Sequence, residues 1–226
     1  KTNLSGRLAM NKNKCRQENM DGCCCEREDI CGEIVKIGKA NVKPRLLLHS
    51  CCGPCSTAVI ERLFGDYSIA VFYYNPCITE NDEYEKRKHE QIRFIDEFNK
   101  DLDEDQRVRY IEGSYRPEEY LDLVKGLETE PEGGARCTVC FRQRLDETAR
   151  IAKEYGFDFF ASTLTVSPHK NYALIAEIGK ECEKKYGVSF LDMDFKKKAG
   201  FQRSIQLSKE HHLYRQNYCG CKFSKR

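Results

Sequence analysis

The segment 46–56, LLLHSCCGPCS, constrains the fold more than any other part of this chain of 226 residues. Three leucines form an apolar run of strand length, which ends abruptly in three cysteines around a Gly-Pro pair. An amphipathic stretch follows at 56–64, so the pattern predicts a buried strand, a sharp loop and a helix. In α/β sheets built from such units, ligands bind beyond the carboxyl ends of the strands. Thiols placed there lie at the positive end of a helix, which favours their thiolate form.

The rest of the chain alternates between predicted strands and helices. Further strands are predicted at 68–74, 107–111, 157–164 and 188–191, and helices at 83–98, 117–127, 136–155, 172–186 and 202–211. This alternation implies right-handed crossovers and a mainly parallel sheet with helices on both faces. We therefore predict one α/β domain over residues 44–226, preceded by a polar N-terminal extension at 1–43.

Fourteen cysteines are many for a chain that can bury a core of its own. No stretch approaches the roughly 20 apolar residues that span a bilayer, and the polar N-terminus lacks the apolar region of a signal peptide. We therefore expect a cytoplasmic protein without a membrane partner. Thiols stay reduced in that compartment, which favours metal-binding or redox roles; a secreted protein with disulfides is the disfavoured alternative.

Seven of the cysteines come from three distant segments that this fold can bring to one edge of the sheet. They are Cys51, Cys52, Cys55, Cys137, Cys140, Cys219 and Cys221. Two thiolates separated by two residues can converge on one metal centre, and this spacing occurs at 52–55 and at 137–140. Four thiolates satisfy a zinc ion or a 4Fe–4S cluster equally well. Three further thiolates can hold a second metal with an open position for a substrate.

The other cysteines give weaker signals. Five lie in the extension, at positions 15, 23, 24, 25 and 31, and their spacing is poor support for a second metal site. Cys77 follows a predicted strand and is set aside, and Cys182 lies within an ordinary helix, where a packed thiol is expected. A nucleotide cofactor is not expected at the first loop, because it carries neither GxGxxG nor a Walker-type lysine.

Charge is distributed unevenly along the chain. Residues 195–226 carry nine lysines or arginines and one acid, Glu210, which fits a polyanionic partner. Tyr214 and Tyr218 could stack on unpaired bases there, and the alternative is a solvated basic helix with packed tyrosines. The acidic stretch 96–105 predicts a solvated helix end and loop.

Several ordered blocks between residues 45 and 224 resemble the QueH-type epoxyqueuosine reductases, the cobalamin-independent class. They are HSCCGPCS at 49–56, FYYNP at 72–76, RCTVCF at 136–141 with Arg144 and Leu145, TLTVSPHK at 163–170, DFKK at 194–197 and LYRQNYCGC at 213–221. The resemblance implies a Rossmann-like fold of the HUP type, without the ATP loop of the related ATP pyrophosphatases. It also implies a 4Fe–4S cluster beside a separately held iron, for which zinc can substitute. The implied reaction reduces the epoxide of epoxyqueuosine in tRNA, the last step of queuosine biosynthesis.

On this reading the seven cysteines divide between two metals. We expect the cluster on Cys52, Cys137, Cys140 and one of Cys219 or Cys221, with Cys219 as the working choice. The iron is then expected on Cys51, Cys55 and the remaining C-terminal cysteine. Family members vary at the Cys55 and Cys77 positions.

The remaining expectations concern protons, partners and competing functions. Tyr74, His169 and Lys170 lie in predicted strand-end loops and are the candidate proton donors. For His169 a loop histidine bonded to backbone is the alternative.

The expected partners are the tRNA anticodon stem-loop carrying epoxyqueuosine, with the modified base out of its stack, and an external electron donor. A zinc-stabilised RNA-binding module and a tRNA thiolation enzyme are the competing functions.

Overall fold

A computed structural model describes residues 43–225 of the chain. The extension predicted at 1–43 and its five cysteines lie outside the described residues, apart from Lys43. The strands are β1 Arg45–His49, β2 Ser68–Tyr73, β3 Arg109–Glu112, β4 Phe159–Ser162 and β5 Ser189–Phe190. The helices are α1 Gly53–Leu63, α2 Asn81–Phe98, α3 Pro117–Leu123, α4 Ala135–Glu154, α5 Tyr172–Tyr186 and α6 Gly200–Glu210, with 3-10 turns at Thr163–Val166 and Lys222–Ser224.

All neighbouring strands of the sheet are parallel, and their order is β3-β2-β1-β4-β5. The central strand is β1, where Leu47 pairs with Ala70 of β2 on one side and with Phe160 of β4 on the other. The chain order reverses at β1, so the crevice beyond its carboxyl end is a topological switch point, the usual ligand position in such sheets.

The leucines of β1 alternate between two cores because successive side chains of a strand point to opposite faces. Leu47 packs with residues of α4 and α5, among them Phe141, Leu145, Ile175 and Ile178. Leu46 and Leu48 pack with residues of α1 and α2, among them Val59, Ile60, Phe94 and Ile95. The predicted α/β class, with helices on both faces of a parallel sheet, is confirmed.

The fourth strand is shorter than the predicted 157–164. Ser162 Oγ accepts a hydrogen bond from the Leu164 amide at 3.2 Å, which begins the 3-10 turn in place of further strand pairing. The acidic stretch 96–105 forms the end of α2 and a largely exposed turn, as predicted. Within residues 43–225, no helix has both the length and the apolar character needed to cross a membrane.

Candidate metal centre and cleft

Three thiols meet directly beyond the carboxyl end of β1. The sulfur atoms of Cys51, Cys52 and Cys55 all lie within 4.8 Å of one another. Cys52 is the N-cap residue of α1, and its extended backbone turns the chain from strand into helix. Pro54 suits the first turn of that helix, because its missing N–H would have no helical partner there. The sequence thus folds three cysteines into one compact group of possible metal ligands.

A buried glutamine of α2 holds this loop in place. Gln91 Oε1 accepts hydrogen bonds from Ser50 Oγ at 2.6 Å and from Ser56 Oγ at 2.9 Å, one on each side of the three cysteines. Asn75 Nδ2 donates to the Ser50 carbonyl at 2.8 Å and ties the same loop to the end of β2. Because all of these groups are buried, the contacts fix the direction in which the thiols point.

His49 supports the loop as a neutral imidazole. Its Nε2 lies 3.1 Å from the Tyr74 carbonyl, which only accepts, so Nε2 carries the proton. Nδ1 then accepts from Ser162 Oγ at 2.8 Å. Burial, reinforced by the charge of Arg144, lowers the pKa of His49 to about 3. This histidine is a structural link between β1, β2 and β4.

The other four thiols line one small cavity beside the first group. Cys137 and Cys140 lie in the first turns of α4, whereas Cys219 and Cys221 come from the C-terminal segment. The nine described cysteines are all free thiols, so each remains available to a metal. All seven predicted ligands therefore reach the same edge of the sheet, in a group of three and a group of four.

Arg87 and Gly220 position the C-terminal cysteines. The buried Arg87 guanidinium donates to the carbonyl of Cys219 at 3.0 Å and to that of Tyr218 at 3.3 Å, while its Nε pairs with Glu83 at 2.7 Å. Gly220 has φ +111, and a Cβ there would approach Ile78 Cγ1 at 2.9 Å and Arg87 at 3.0 Å. Glycine is therefore required between the two cysteines, both for its dihedral angle and for space.

Four of the seven sulfurs lie at 3.1–3.3 Å from an N–H or O–H group. These pairs are Gln216 Nε2 with Cys52, the Gly133 amide with Cys137, Arg144 Nη2 with Cys140, and Tyr120 Oη with Cys221. Among the described residues, Cys55 and Cys219 have no such partner, and Cys51 has only Thr163 Oγ1 at 3.9 Å. N–H and O–H donors of this kind stabilise thiolates, so they divide the sulfurs into four supported and three unsupported ones.

An open cleft of about 520 Å³ adjoins the thiols. Its walls include three of the cysteines, Cys51, Cys55 and Cys219, which are the three sulfurs without a close donor. His169 and Lys170 also line it, from the loop after the 3-10 turn. The volume of the cleft is typical of a small-molecule site, and its polar walls include Arg87 and Arg144.

Cationic side chains compensate the charge of the thiolates. Burial opposes the charged form of Lys170, yet the thiolates of Cys219, Cys51 and Cys55 raise its pKa above the ordinary value. In the first group, hydrogen bonds from Cys52 and Cys55 lower the pKa of Cys51, and those with Cys51 and Cys52 raise that of Cys55. Within this group these interactions favour the thiolate form of Cys51, and so does Lys170, which lines the same cleft.

Two of the three predicted proton donors lie at the cleft. His169 is exposed and Lys170 partly exposed, and both line the opening. Tyr74 is buried, its ring stacked on Phe72 with centroids 5.7 Å apart, and it is not among the described residues that line the cleft. The structure therefore does not bring Tyr74 together with the other two.

The C-terminal tyrosines pack against α2. Tyr214 Oη donates to the Glu83 carboxylate at 3.2 Å, and the Lys86 ammonium lies 3.5 Å from the centre of its ring. Tyr218 lines the cleft, with the Arg87 guanidinium 5.3 Å from its ring centre. Tyr214 is therefore a packed tyrosine, which was the alternative to base stacking. The ring of Tyr218 lines the cleft, where a base can stack on it.

Several residues of the site were not predicted from the sequence. Cys77, which was not counted among the expected metal ligands, is buried in one apolar cluster with Cys140 and Cys221, and the Cys140 thiol lowers its pKa to about 6. Arg144 follows Cys140 by four residues, and this helical spacing was a usable signal for contact. Gln91 and Gln216 offered none, because only tertiary packing brings them to the thiols.

Comparisons with known proteins agree with this arrangement. Residues 46–226 match the family model described as "Epoxyqueuosine reductase QueH". Proteins of that name from Streptococcus pyogenes serotype M1 and Thermotoga maritima are 46% and 38% identical to this chain over 186 and 182 residues. These alignments cover 82% and 79% of this chain, and 72% and 89% of the respective relatives. The protein of that name from Staphylococcus aureus is 43% identical over 185 residues, which are 81% of this chain and 76% of the relative.

Proposed function

This chain belongs to the epoxyqueuosine reductase QueH family, and we propose that it reduces the epoxide of epoxyqueuosine in tRNA, giving queuosine. The reaction adds two electrons and two protons and releases the epoxide oxygen as water, so the ring becomes a cyclopentene. The observation that carries the proposal is the cleft of about 520 Å³, whose walls join three thiols to a lysine ammonium. Such a reaction takes place on tRNA, which locates the enzyme in the cytoplasm.

The donor set fits a thiolate-bound cluster and a second metal. All seven thiols are free, and the buried cations Arg87 and Arg144 offset the negative charge that a thiolate-rich centre would carry. We infer that the four sulfurs with close hydrogen-bond partners hold a 4Fe–4S cluster; they are Cys52, Cys137, Cys140 and Cys221. Cys221 thereby replaces Cys219, which was the fourth cluster ligand expected from the sequence.

The remaining cysteines, Cys51, Cys55 and Cys219, are then the ligands of the separate iron. Two observations support this second group. These three are the cysteines that line the open cleft, and they are also the thiolates that raise the pKa of Lys170. A metal that binds substrate needs access to the cleft, whereas a cluster that stores electrons does not.

When bound, the cluster supplies single electrons and the iron supplies a Lewis acid that weakens the carbon–oxygen bond. An external donor must supply the two electrons that each turnover consumes. The protein contributes Lys170, which lines the cleft together with the three thiols and can deliver a proton to the leaving oxygen. His169 lies at the exposed end of the same loop and can return a proton to Lys170 from solvent.

The rim of the cleft suits an anticodon loop. Arg215 and Lys225 line the opening, and cationic side chains of this kind neutralise phosphates. Tyr218 adds an aromatic ring on which a base can stack. To reach the thiols, the modified wobble base must leave its stack and enter the cleft.

The test of this function is direct. The reduced, iron-loaded protein is incubated with tRNA carrying epoxyqueuosine, and the nucleosides are analysed by mass. We expect the modified nucleoside to lose one oxygen. An unchanged nucleoside in the presence of an intact cluster contradicts the function.

The identity of the metal is tested separately by colour and metal content. We expect anaerobically purified protein to be brown, with broad absorption in the blue and acid-labile sulfide. If the protein is colourless, contains zinc alone and retains full activity, it does not use an iron–sulfur cluster. The proposed reductase activity is then still valid.

A further inference from the structure

Gln216 connects the C-terminal segment to the first thiol loop through a single contact. Its Nε2 donates a hydrogen bond to Cys52 Sγ at 3.1 Å, across 164 positions of sequence. Cys52 is almost fully buried, and Gln216 lies at its side on the wall of the cleft. Within the described residues, Cys51 and Cys55 have no N–H donor of this kind.

The orientation of the amide follows from the chemistry of a metal-bound sulfur. A ligating cysteine is a thiolate, which accepts hydrogen bonds and donates none. The reversed amide would direct Oε1 at this negative sulfur, so the orientation with Nε2 facing Cys52 is the favourable one. Oε1 is buried and finds no hydrogen-bond partner in the part of the chain that the structure describes. Among residues 43–225, the contact with sulfur is therefore the one polar interaction that orients this side chain.

Other contacts hold the segment around Gln216 without its help. The Tyr214 amide donates to Glu90 Oε2 at 2.7 Å, and Arg87 binds the carbonyls of Tyr218 and Cys219. Lys225 forms an ion pair with Glu80 at 2.6 Å. Removal of the amide therefore leaves the C-terminal cysteines anchored, and a change in the metal centre can be observed apart from a change in folding.

We propose that Gln216 is a positioning residue that raises the reduction potential of the metal centre held by Cys52, by donating its amide N–H to that sulfur. A donor to a thiolate ligand stabilises the more negative, reduced state of a cluster more than the oxidised state. The inference rests on the proposed function, because it takes the sulfur of Cys52 as a cluster ligand. It assigns to Gln216 a role in electron transfer without contact with the reacting bond.

The experiment compares full-length, cluster-loaded proteins in a dye-mediated reductive titration followed by visible absorption. Gln216→Leu removes the donor, and Gln216→Glu replaces it with a negative carboxylate of nearly the same shape. Gln206→Leu is the matched control, since Gln206 is exposed on α6 and, within the described part of the chain, its side chain bonds only to Glu210. Iron and sulfide content are measured on every sample.

We expect the midpoint potential to fall in both Gln216 variants, and further in Gln216→Glu, with unchanged iron and sulfide. A tenfold change in the oxidised-to-reduced ratio corresponds to about 59 mV for a one-electron couple, and this is the expected scale for Gln216→Leu. The control should keep the potential of the unmodified protein.

Three outcomes overturn the proposal. If fully loaded Gln216→Leu keeps the midpoint potential of the unmodified protein, Gln216 does not tune the metal centre, and the proposed function still stands. Loss of iron from both Gln216 variants makes the residue a structural support instead. An unmodified protein that binds no iron–sulfur cluster overturns both this inference and the cofactor of the proposed function.

Discussion

The hydroxyl of Ser50 donates a 2.6 Å hydrogen bond to the side-chain oxygen of Gln91, which lies on α2, 41 positions away. The same oxygen accepts from Ser56, so one side chain on α2 holds both ends of the loop that carries three metal-ligand candidates. The geometry of the thiols consequently depends on the packing of α2 against α1.

Gln91→Leu should destabilise the protein, because it removes the side-chain acceptor that two buried hydroxyls share and leaves them only the carbonyls of Cys52 and Gly53. Each lost hydrogen bond contributes about 0.5–1.5 kcal/mol, so we expect the free energy of unfolding in urea to fall by at least about 1 kcal/mol. Gln206→Leu, an exposed change of the same type, should stay within about 0.5 kcal/mol of the unmodified protein. Equal effects of the two substitutions contradict a structural role for Gln91.

Cys51→Ala and Cys52→Ala should have different effects although the residues are adjacent. Because Cys51 lines the cleft and Cys52 does not, we expect Cys51→Ala to retain most of the cluster absorption and to lose turnover. Cys52→Ala should lose the cluster itself. Visible spectra and iron analysis of both proteins check this, and identical behaviour of the pair argues against two metal centres.

The C-terminal pair offers the same comparison. Cys221 lies 3.3 Å from the Tyr120 hydroxyl and away from the open cleft, whereas Cys219 lines it. We therefore expect Cys221→Ala to lose cluster sulfide and Cys219→Ala to lose one iron per chain with the cluster retained. The opposite pattern would restore Cys219 as the cluster ligand.

Lys170→Met should slow the chemical step without displacing metal. A well-placed proton donor contributes about 10²- to 10⁴-fold to a rate, so we expect the turnover number to fall at least about 100-fold. KM for the tRNA should change much less, because Arg215, Tyr218 and Lys225 on the cleft wall remain. Lys184→Met, on the exposed side of α5 and outside the basic stretch 195–226, is the control and should leave both constants unchanged. A rise in KM with normal turnover would instead make Lys170 a binding residue.

Gly113→Ala should destabilise the fold next to β2. A Cβ at this buried position would approach Tyr74 Cβ and Cδ2 at 2.8 Å and Phe72 Cζ at 3.0 Å. Overpacking of this kind costs about 1–3 kcal/mol, which a urea unfolding curve can measure. Gly65→Ala is the matched control, because no atom lies within 4 Å of the added carbon there. If Gly113→Ala leaves the stability unchanged, the rings of Tyr74 and Phe72 can move away from the added methyl group at little energetic cost.

The sequence by itself determined the layers of the protein and the identity of the thiols. The apolar run of β1, the helical periods that follow it and the cysteine spacings at 52–55 and 137–140 are local properties of the chain. They were sufficient to predict the parallel sheet and the seven cysteines at one of its edges. The end of β4 was misjudged because Ser162 caps a 3-10 turn, which interrupts an otherwise strand-like run.

Only the tertiary structure decided how the seven thiols are grouped and what surrounds them. Gln91, Arg87 and Gln216 reach the sulfurs or their loops across 35 to 164 positions of sequence, and no periodicity encodes such contacts. The separation of Cys219 from Cys221 likewise depends on the positive φ of Gly220 and on the neighbouring Tyr120 hydroxyl. Local patterns therefore specified which residues could bind metal, while long-range packing assigned each of them its neighbours and its access to the cleft.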